Sequence, residues 1–125
     1  MPAVQQLMVE QQLPAEFLNV CKTFYFPLAS YLLSKKQART TPLIIGINGA
    51  QGTGKSTLAA LLQCMLESGA HWRCANLSID DLYLTHAQRN QLALSVHPLL
   101  KTRGVPGTHD VQLGVSLIKN LLHAQ

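Results

Sequence analysis

The order of hydrophobic and polar positions predicts an N-terminal helical segment. Apolar residues recur at helical spacing from Pro14 to about residue 34, and Pro27 should kink or break this helix, because proline cannot donate a backbone hydrogen bond. We expect the glutamine-rich residues 1–12 to lack regular structure and the polar residues 34–42 to form a linker. Residues 1–42 are therefore predicted to be a helical segment and linker.

The chain from residue 43 alternates strand and helix patterns. A continuous apolar run at residues 43–47 is typical of a buried parallel strand, and a second strand candidate runs from Arg73 to Ile79. Between them lies a helix with a broad apolar face, which we expect to end at Gly69. Because strand, helix and strand follow in this order, the pattern predicts a right-handed βαβ unit and a parallel sheet.

Two further helices are predicted after the second strand candidate. Thr85 and Gln88 form the pattern of a capping box, which opens a helix that ends before Pro98. Residues 101–109 have loop composition, and Asp110 can cap a last helix. Typical sheets have about five strands, and only two candidates are visible. We therefore expect residues 43–125 to be the N-terminal part of a larger domain.

Composition and charge narrow the classes of function. The net charge of +4 is too small to indicate a nucleic-acid surface. No run of about 18 apolar residues is present to span a membrane, and the N-terminus lacks a secretory signal pattern. Three cysteines cannot all pair, and none has metal-ligand spacing. We expect reduced thiols in a cytoplasmic protein, with no nucleic-acid or membrane partner and an unknown oligomeric state.

Residues 49–56, GAQGTGKS, match the phosphate-binding pattern GxxxxGK[ST]. Glycines let backbone N–H groups converge on a phosphate without an obstructing Cβ. Lys55 would contact the β- and γ-phosphates of a nucleoside triphosphate, and the Ser56 hydroxyl is a hard ligand for Mg²⁺. A plain glycine turn is the alternative, although a turn does not require a lysine at this offset. The predicted nucleotide-binding residues are Gly49, Ala50, Gln51, Gly52, Thr53, Gly54, Lys55, Ser56 and Thr57.

Asp80 is the second candidate for chemistry, because it follows the second predicted strand. A parallel strand beside the phosphate loop would bring its carboxyl end to the ligand crevice. A carboxylate there could accept the proton of a substrate hydroxyl, or hold Mg²⁺ through water. The alternative is a solvated turn or a helix cap. We favour the chemical role for Asp80 and the structural role for its neighbour Asp81.

Three segments together carry a family resemblance: GINGAQGTGKSTLA, LSIDDLYLTHAQR and HPLLKTRGVPGTHD. They resemble the D-glycerate 3-kinase-like branch of the P-loop kinases, whose more distant relatives include uridine kinase, pantothenate kinase and phosphoribulokinase. The resemblance covers about residues 43–122 and implies an α/β fold, a P-loop NTPase-type parallel sheet with flanking helices, of which this chain would hold an incomplete part. It also implies an ATP-dependent kinase that transfers the γ-phosphoryl group, with Mg²⁺, to a hydroxyl of D-glycerate or a similar small acid.

The same resemblance indicates which residues would act. Asp80 is the expected base, and residues 103–110 would border the acceptor site. Lys55 is the expected catalytic cation because of its place in the phosphate-binding pattern. Arg103 could pair with a substrate carboxylate, and Tyr83 and His109 could bind hydroxyls, although Arg103 could equally be a surface charge. A catalytically inactive nucleotide-binding remnant, or a part of a larger assembly, remains the alternative. The identity of the phosphate acceptor stays open.

Overall fold

The computed structural model describes residues 1–123, which are mostly helical. The helices are α1 (Pro2–Glu10), α2 (Phe17–Val20), α3 (Phe26–Gln37), α4 (Lys55–Ala70), α5 (His86–Ser95) and α6 (Val111–His123). A π-helical turn, Cys21–Tyr25, joins α2 to α3, and two 3₁₀ turns cover Ile79–Leu82 and Pro98–Lys101. The chain forms two compact units, the first comprising Met1–Asn76 and the second beginning at Leu77.

The predicted α/β fold with a parallel sheet is wrong. Helix accounts for 63% of the residues and strand for 2%, and both predicted strands are irregular over residues 43–47 and 73–78. A strand needs a neighbour to satisfy its N–H and C=O groups, and neither segment pairs with one among residues 1–123. In the segment 43–47, some side chains contact the helical core and others are exposed to solvent. Leu43 and Ile47 pack partly against the helical core, whereas Ile44 is 67% exposed.

The core of the first unit forms around α4. This helix has a broad apolar face, as predicted, and it buries Leu61, Leu62, Met65 and Leu66. Helix α1 packs on α4 and buries Val4 and Met8, which lie four residues apart and so share one face. The expectation that residues 1–12 lack regular structure is therefore wrong. Their few apolar residues have helical spacing, and burying them stabilises the helix.

The interruption expected at Pro27 takes the form of a π-helical turn. Pro27 lies in the first turn of α3, where its missing N–H costs little. Just before it, the N–H of Phe26 donates to the carbonyl of Cys21, five residues back. This wider turn accommodates the proline, and the chain remains helical from Phe17 to Gln37.

The predicted ends of the other helices agree closely with the structure. Helix α4 ends one residue past Gly69, and the left-handed residue at its end is His71. The capping box opens α5, since the N–H of Gln88 donates to Oγ1 of Thr85 and the N–H of Thr85 donates to Oε1 of Gln88. At the start of α6, Oδ1 of Asp110 accepts from a backbone N–H at 2.9 Å. Within residues 1–123, every helix is too short or too polar to cross a membrane.

Candidate functional site

The phosphate-loop motif forms a tight loop at the start of α4. Gly52 and Gly54 have φ angles of +78° and +81°, in the left-handed region where any other residue is strained. Gly49 is restricted by space instead, because a Cβ there would lie 3.0 Å from Oγ1 of Thr53. The conformation of the loop therefore favours glycine at all three positions.

Several donors converge on the carbonyl oxygen of Ala50. Oγ1 of Thr53 and Nζ of Lys55 each donate to this oxygen at 2.7 Å, and the backbone N–H of Thr53 does so at 3.4 Å. The hydrogen bond from Nζ of Lys55 holds the lysine ammonium against the loop. An ammonium has three N–H donors, so Lys55 has two more with which to bind an anion.

The N-terminus of α4 adds backbone donors at the same loop. Leu58 donates to the carbonyl of Gly54 at 2.9 Å, which is the first bond of the helix. The N–H groups of Lys55, Ser56 and Thr57 thus have no acceptor within the helix. Free N–H groups, the helix dipole and an ammonium together suit a polyphosphate. The Ser56 hydroxyl is exposed and offers a hard oxygen ligand to Mg²⁺.

The second unit contains all three predicted substrate-binding residues, and it brings them together. Tyr83 and His109 are opposite each other in an antiparallel bridge. The flanking residues make the hydrogen bonds, from the N–H of Leu84 to the carbonyl of Thr108 at 2.9 Å and from the N–H of Asp110 to the carbonyl of Leu82 at 2.6 Å. Tyr83 and His109 are therefore a non-hydrogen-bonded pair, the arrangement in which opposite side chains lie closest.

The side chains of this pair are stacked, and the third residue lies over one of the rings. The centroids of the Tyr83 and His109 rings are 4.2 Å apart, with an angle of 26° between the ring planes. Cζ of Arg103 lies 5.5 Å from the Tyr83 centroid, within the range of a cation–π interaction. We call Tyr83, His109 and Arg103 the aromatic platform. Arg103 is exposed, so its guanidinium can still bind an anion.

The loop after Arg103 returns the chain to Tyr83. Gly104 and Gly107 have φ angles of +92° and +91°, so both turns of the loop use the left-handed region. Thr108 is fully buried, and its Oγ1 and N–H both donate to the carbonyl of Val105, at 2.6 and 3.1 Å. Thr108 is a residue that no sequence pattern indicated; it closes the turn next to His109, which lies in the bridge.

Arg89 is a second residue that was not among the predicted site residues. Its side chain is 6% exposed, its Nε donates to the carbonyl of Leu84 at 3.2 Å, and its Nη1 donates to the carbonyl of Lys101 at 3.0 Å. A signal was present in the sequence. Arg89 precedes Leu92 and Ala93 by three and four residues, so the helical pattern places a charged residue on the apolar face of α5.

The two adjacent aspartates have different surroundings. Oδ2 of Asp81 accepts from the N–H of Ser78 at 3.2 Å and caps the 3₁₀ turn, the structural role expected for it. The carboxylate of Asp80 is exposed and accepts no hydrogen bond within residues 1–123, which leaves it available to a ligand. Asp80 belongs to the second unit with the aromatic platform, whereas the phosphate loop belongs to the first.

Two further histidines, His97 and His86, lie near the ends of short helical elements. Nδ1 of His97 accepts from the N–H of Leu99 at 3.2 Å and caps the second 3₁₀ turn. His86 is exposed in the first turn of α5, where its Nδ1 lies 3.1 Å from Nδ2 of Asn90. Neither imidazole is needed for the chemistry considered below.

The cysteines and acidic residues form no metal cluster in the described part of the chain, residues 1–123. The three cysteines there are free thiols. Burial raises the pKa of Cys21, and burial together with the charge of Glu67 raises the pKa values of Cys64 and Cys74. Such thiols are weak nucleophiles. A magnesium ion bound through phosphates keeps several waters, so it does not require a cluster of protein ligands.

The sequence is similar to several kinases from yeasts, a plant and bacteria. It is 38% identical over 99 residues to the uncharacterized kinase mug58 of Schizosaccharomyces pombe, which covers 78% of this chain and 34% of that protein. It is 35% identical over 82 residues to the chloroplastic D-glycerate 3-kinase of Arabidopsis thaliana, with 64% and 18% covered. It is 31% identical over 96 residues to pantothenate kinase of Lactococcus lactis, with 75% and 29% covered.

The chain spans about a fifth to a third of the length of these relatives, since the matched shares are 34%, 18% and 29%. No protein-family profile matches the sequence. No solved structure matches it either.

Proposed function

We propose that this chain, which is homologous to kinases of the D-glycerate 3-kinase and pantothenate kinase group, carries the ATP-binding loop and an acceptor-binding surface of a small-molecule kinase. The observation that carries the proposal is the phosphate loop. Gly52 and Gly54 adopt left-handed conformations there, and Lys55 is fixed on the loop at the N-terminus of α4. These are the features by which a protein backbone holds a polyphosphate.

The reaction we propose is transfer of the γ-phosphoryl group of ATP to an alcohol. The acceptor hydroxyl oxygen forms a bond to the γ-phosphorus, the bond from that phosphorus to the β–γ bridging oxygen breaks, and the hydroxyl proton passes to Asp80. Lys55 and the N–H groups of α4 stabilise the negative charge on the phosphates. When bound, Mg²⁺ would neutralise phosphate charge further, with Ser56 and Asp80 as its candidate ligands.

The acceptor we propose is D-glycerate or a similar small hydroxy acid, bound on the aromatic platform. The exposed guanidinium of Arg103 can pair with a carboxylate through two parallel hydrogen bonds. Tyr83 and His109 are partly buried and present polar ring atoms to a hydroxyl. The exposed carboxylate of Asp80 lies in the same compact unit as these three residues. We place the activity in the cytoplasm, an assignment supported by the three free thiols.

A nucleotide-binding function without phosphoryl transfer is the second candidate. It is supported by the phosphate loop alone, because the conformations of Gly52 and Gly54 and the position of Lys55 suit a bound polyphosphate whether or not a phosphoryl group is transferred. The two candidates predict the same binding of ATP and differ in turnover, so a binding assay and a turnover assay together separate them.

Thermal unfolding with and without Mg·ATP tests the phosphate loop. A ligand at 100 times its Kd stabilises the folded state by about 2.7 kcal/mol, which should raise Tm by several degrees. Lys55→Ala should abolish most of this shift. A wild-type chain whose Tm does not respond to millimolar Mg·ATP would contradict both candidate functions.

Release of ADP that depends on D-glycerate tests the transfer. We expect Asp80→Asn to abolish it while the ATP-induced rise in Tm persists, because the amide cannot accept the hydroxyl proton. Asp81→Asn is the matched control and should keep turnover, since an amide oxygen can still accept from the N–H of Ser78. Turnover that survives in Asp80→Asn would refute the assignment of the base. A Tm shift without any ADP release in the wild type would favour the second candidate.

A further inference from the structure

We infer that Arg89 is a positioning residue, whose buried guanidinium holds Arg103 against Tyr83 by bridging the two segments that carry them. The inference rests on the proposed function, because the aromatic platform is the surface proposed to bind the acceptor. It adds to that function a residue from α5 that does not itself contact the acceptor.

The bridge joins backbone atoms close to the platform residues. Leu84 directly follows Tyr83, and its carbonyl accepts from Nε of Arg89 at 3.2 Å. Lys101 lies two residues before Arg103, and its carbonyl accepts from Nη1 of Arg89 at 3.0 Å. A guanidinium is planar and holds its N–H groups in a fixed fork. Both donors, Nε and Nη1, belong to one rigid guanidinium, which therefore sets the spacing between the two carbonyl oxygens.

Tyr83 and His109 do not depend on this bridge. Their backbones are paired by the hydrogen bonds from Leu84 to Thr108 and from Asp110 to Leu82. The segment that leads to Arg103 leaves the second 3₁₀ turn at Lys101 and passes through the loop that contains Gly104. Arg89 is the side chain that ties this segment to the strand-like residues around Tyr83.

The chemistry of the buried group supports a specific role rather than simple filling of the core. Arg89 is 6% exposed, and both of its hydrogen bonds go to neutral carbonyl oxygens. Burying a charge is costly unless the group is well bonded. Methionine has similar length and would fill the space without that cost. An arginine at this position is explained by its two hydrogen bonds, which join the carbonyls of Leu84 and Lys101.

The test compares Arg89→Met and Arg89→Lys with the wild type by NMR, without ATP or acceptor. The readout is the set of nuclear Overhauser effects between the Tyr83 ring protons and the side chain of Arg103. Those between the Tyr83 and His109 rings serve as the internal control for the fold. Gln91→Met, an exposed position on the same helix, is the matched control variant and should keep both sets.

We expect both Arg89 variants to lose most of the Tyr83–Arg103 effects and to keep the Tyr83–His109 effects. Lysine retains the charge but lacks the fork, so Arg89→Lys should not restore the contact. Wild-type intensity between Tyr83 and Arg103 in either variant would overturn the inference. Loss of the Tyr83–His109 effects in both variants would also overturn it, because Arg89 would then act on the stability of the whole unit.

A kinetic measurement gives a second readout. Misplacing Arg103 removes a charge-assisted contact with the acceptor carboxylate, so the KM for D-glycerate should rise about tenfold or more, while kcat at saturating acceptor changes little. A fall in kcat at unchanged KM would contradict the positioning role. If the chain had no transferase activity, the proposed function would be refuted. The NMR test would still decide the role of Arg89, because it uses no substrate.

Discussion

Replacing Gly54 by alanine should destabilise the ATP-bound state through the backbone alone. Gly54 has a φ of +81° at the start of α4, and a Cβ built there meets no atom of the protein within 4 Å. An L-residue in the left-handed conformation costs roughly 1–2 kcal/mol. If the loop keeps its conformation without nucleotide, this cost lowers the free energy of unfolding. If the loop relaxes, the cost appears as a 5–30-fold weaker ATP affinity instead, by about 1.4 kcal/mol per factor of ten.

The loss in the free energy of unfolding and the loss in the free energy of ATP binding should together amount to roughly 1–2 kcal/mol, whether or not the loop relaxes without nucleotide. Urea unfolding gives the first loss, and titration calorimetry with Mg·ATP gives the second. Gly69→Ala is the matched control, because Gly69 lies inside the same helix and its added Cβ also meets nothing within 4 Å. It should raise the free energy of unfolding by roughly 0.5–1 kcal/mol and leave ATP affinity unchanged. A summed loss near zero for Gly54→Ala would refute the reasoning.

Three further predictions concern the helices and the thiols. Leu61→Ala should lower the free energy of unfolding in urea by about 2–5 kcal/mol because Leu61 is 0% exposed, whereas Leu94→Ala, at a side chain 86% exposed, should change it by less than about 0.5 kcal/mol. Thr85→Ala should lower the same free energy by about 1 kcal/mol through loss of the α5 cap, and Thr85→Ser should restore most of it. Burial raises the pKa of Cys21, so in the folded protein mass spectrometry should show Cys21 alkylated more slowly than the amino acid cysteine in solution, and faster as the pH rises. In urea, Cys21 should react at the same rate as Cys64.

The helices were predictable because their signals are local. The apolar face of α4, the capping box at Thr85 and the cap at Asp110 depend on residues within a turn or two of one another. The strand candidates failed because a strand exists only with a partner. Nothing within residues 43–47 indicates whether another segment pairs with it, and Ile44 is left 67% exposed. The helix at the N-terminus was missed because Val4 and Met8 gain stability only from contact with a distant helix.

In the candidate site too, features that depend on neighbouring residues in the sequence were predictable, and contacts between distant residues were not. The phosphate loop is contiguous in sequence, and the conformations of Gly52 and Gly54 follow from the motif. Tyr83, Arg103 and His109 were proposed from the chemistry of their side chains, but the stacking of Tyr83 on His109 depends on a backbone bridge that no short pattern encodes. Arg89 was missed because its acceptors are carbonyls, which every residue possesses.

The packing of α1 on α4 also sets an order of events during synthesis on the ribosome. Leu61, on the helix against which α1 packs, leaves the ribosome 57 residues after Val4. At about 5–20 residues per second, this interval lasts roughly 3–11 s. Throughout it, the apolar face of α1 has no α4 to cover it and is accessible to ribosome-associated chaperones. The helix that carries the phosphate loop therefore completes the first unit only when the nascent chain has passed Leu66.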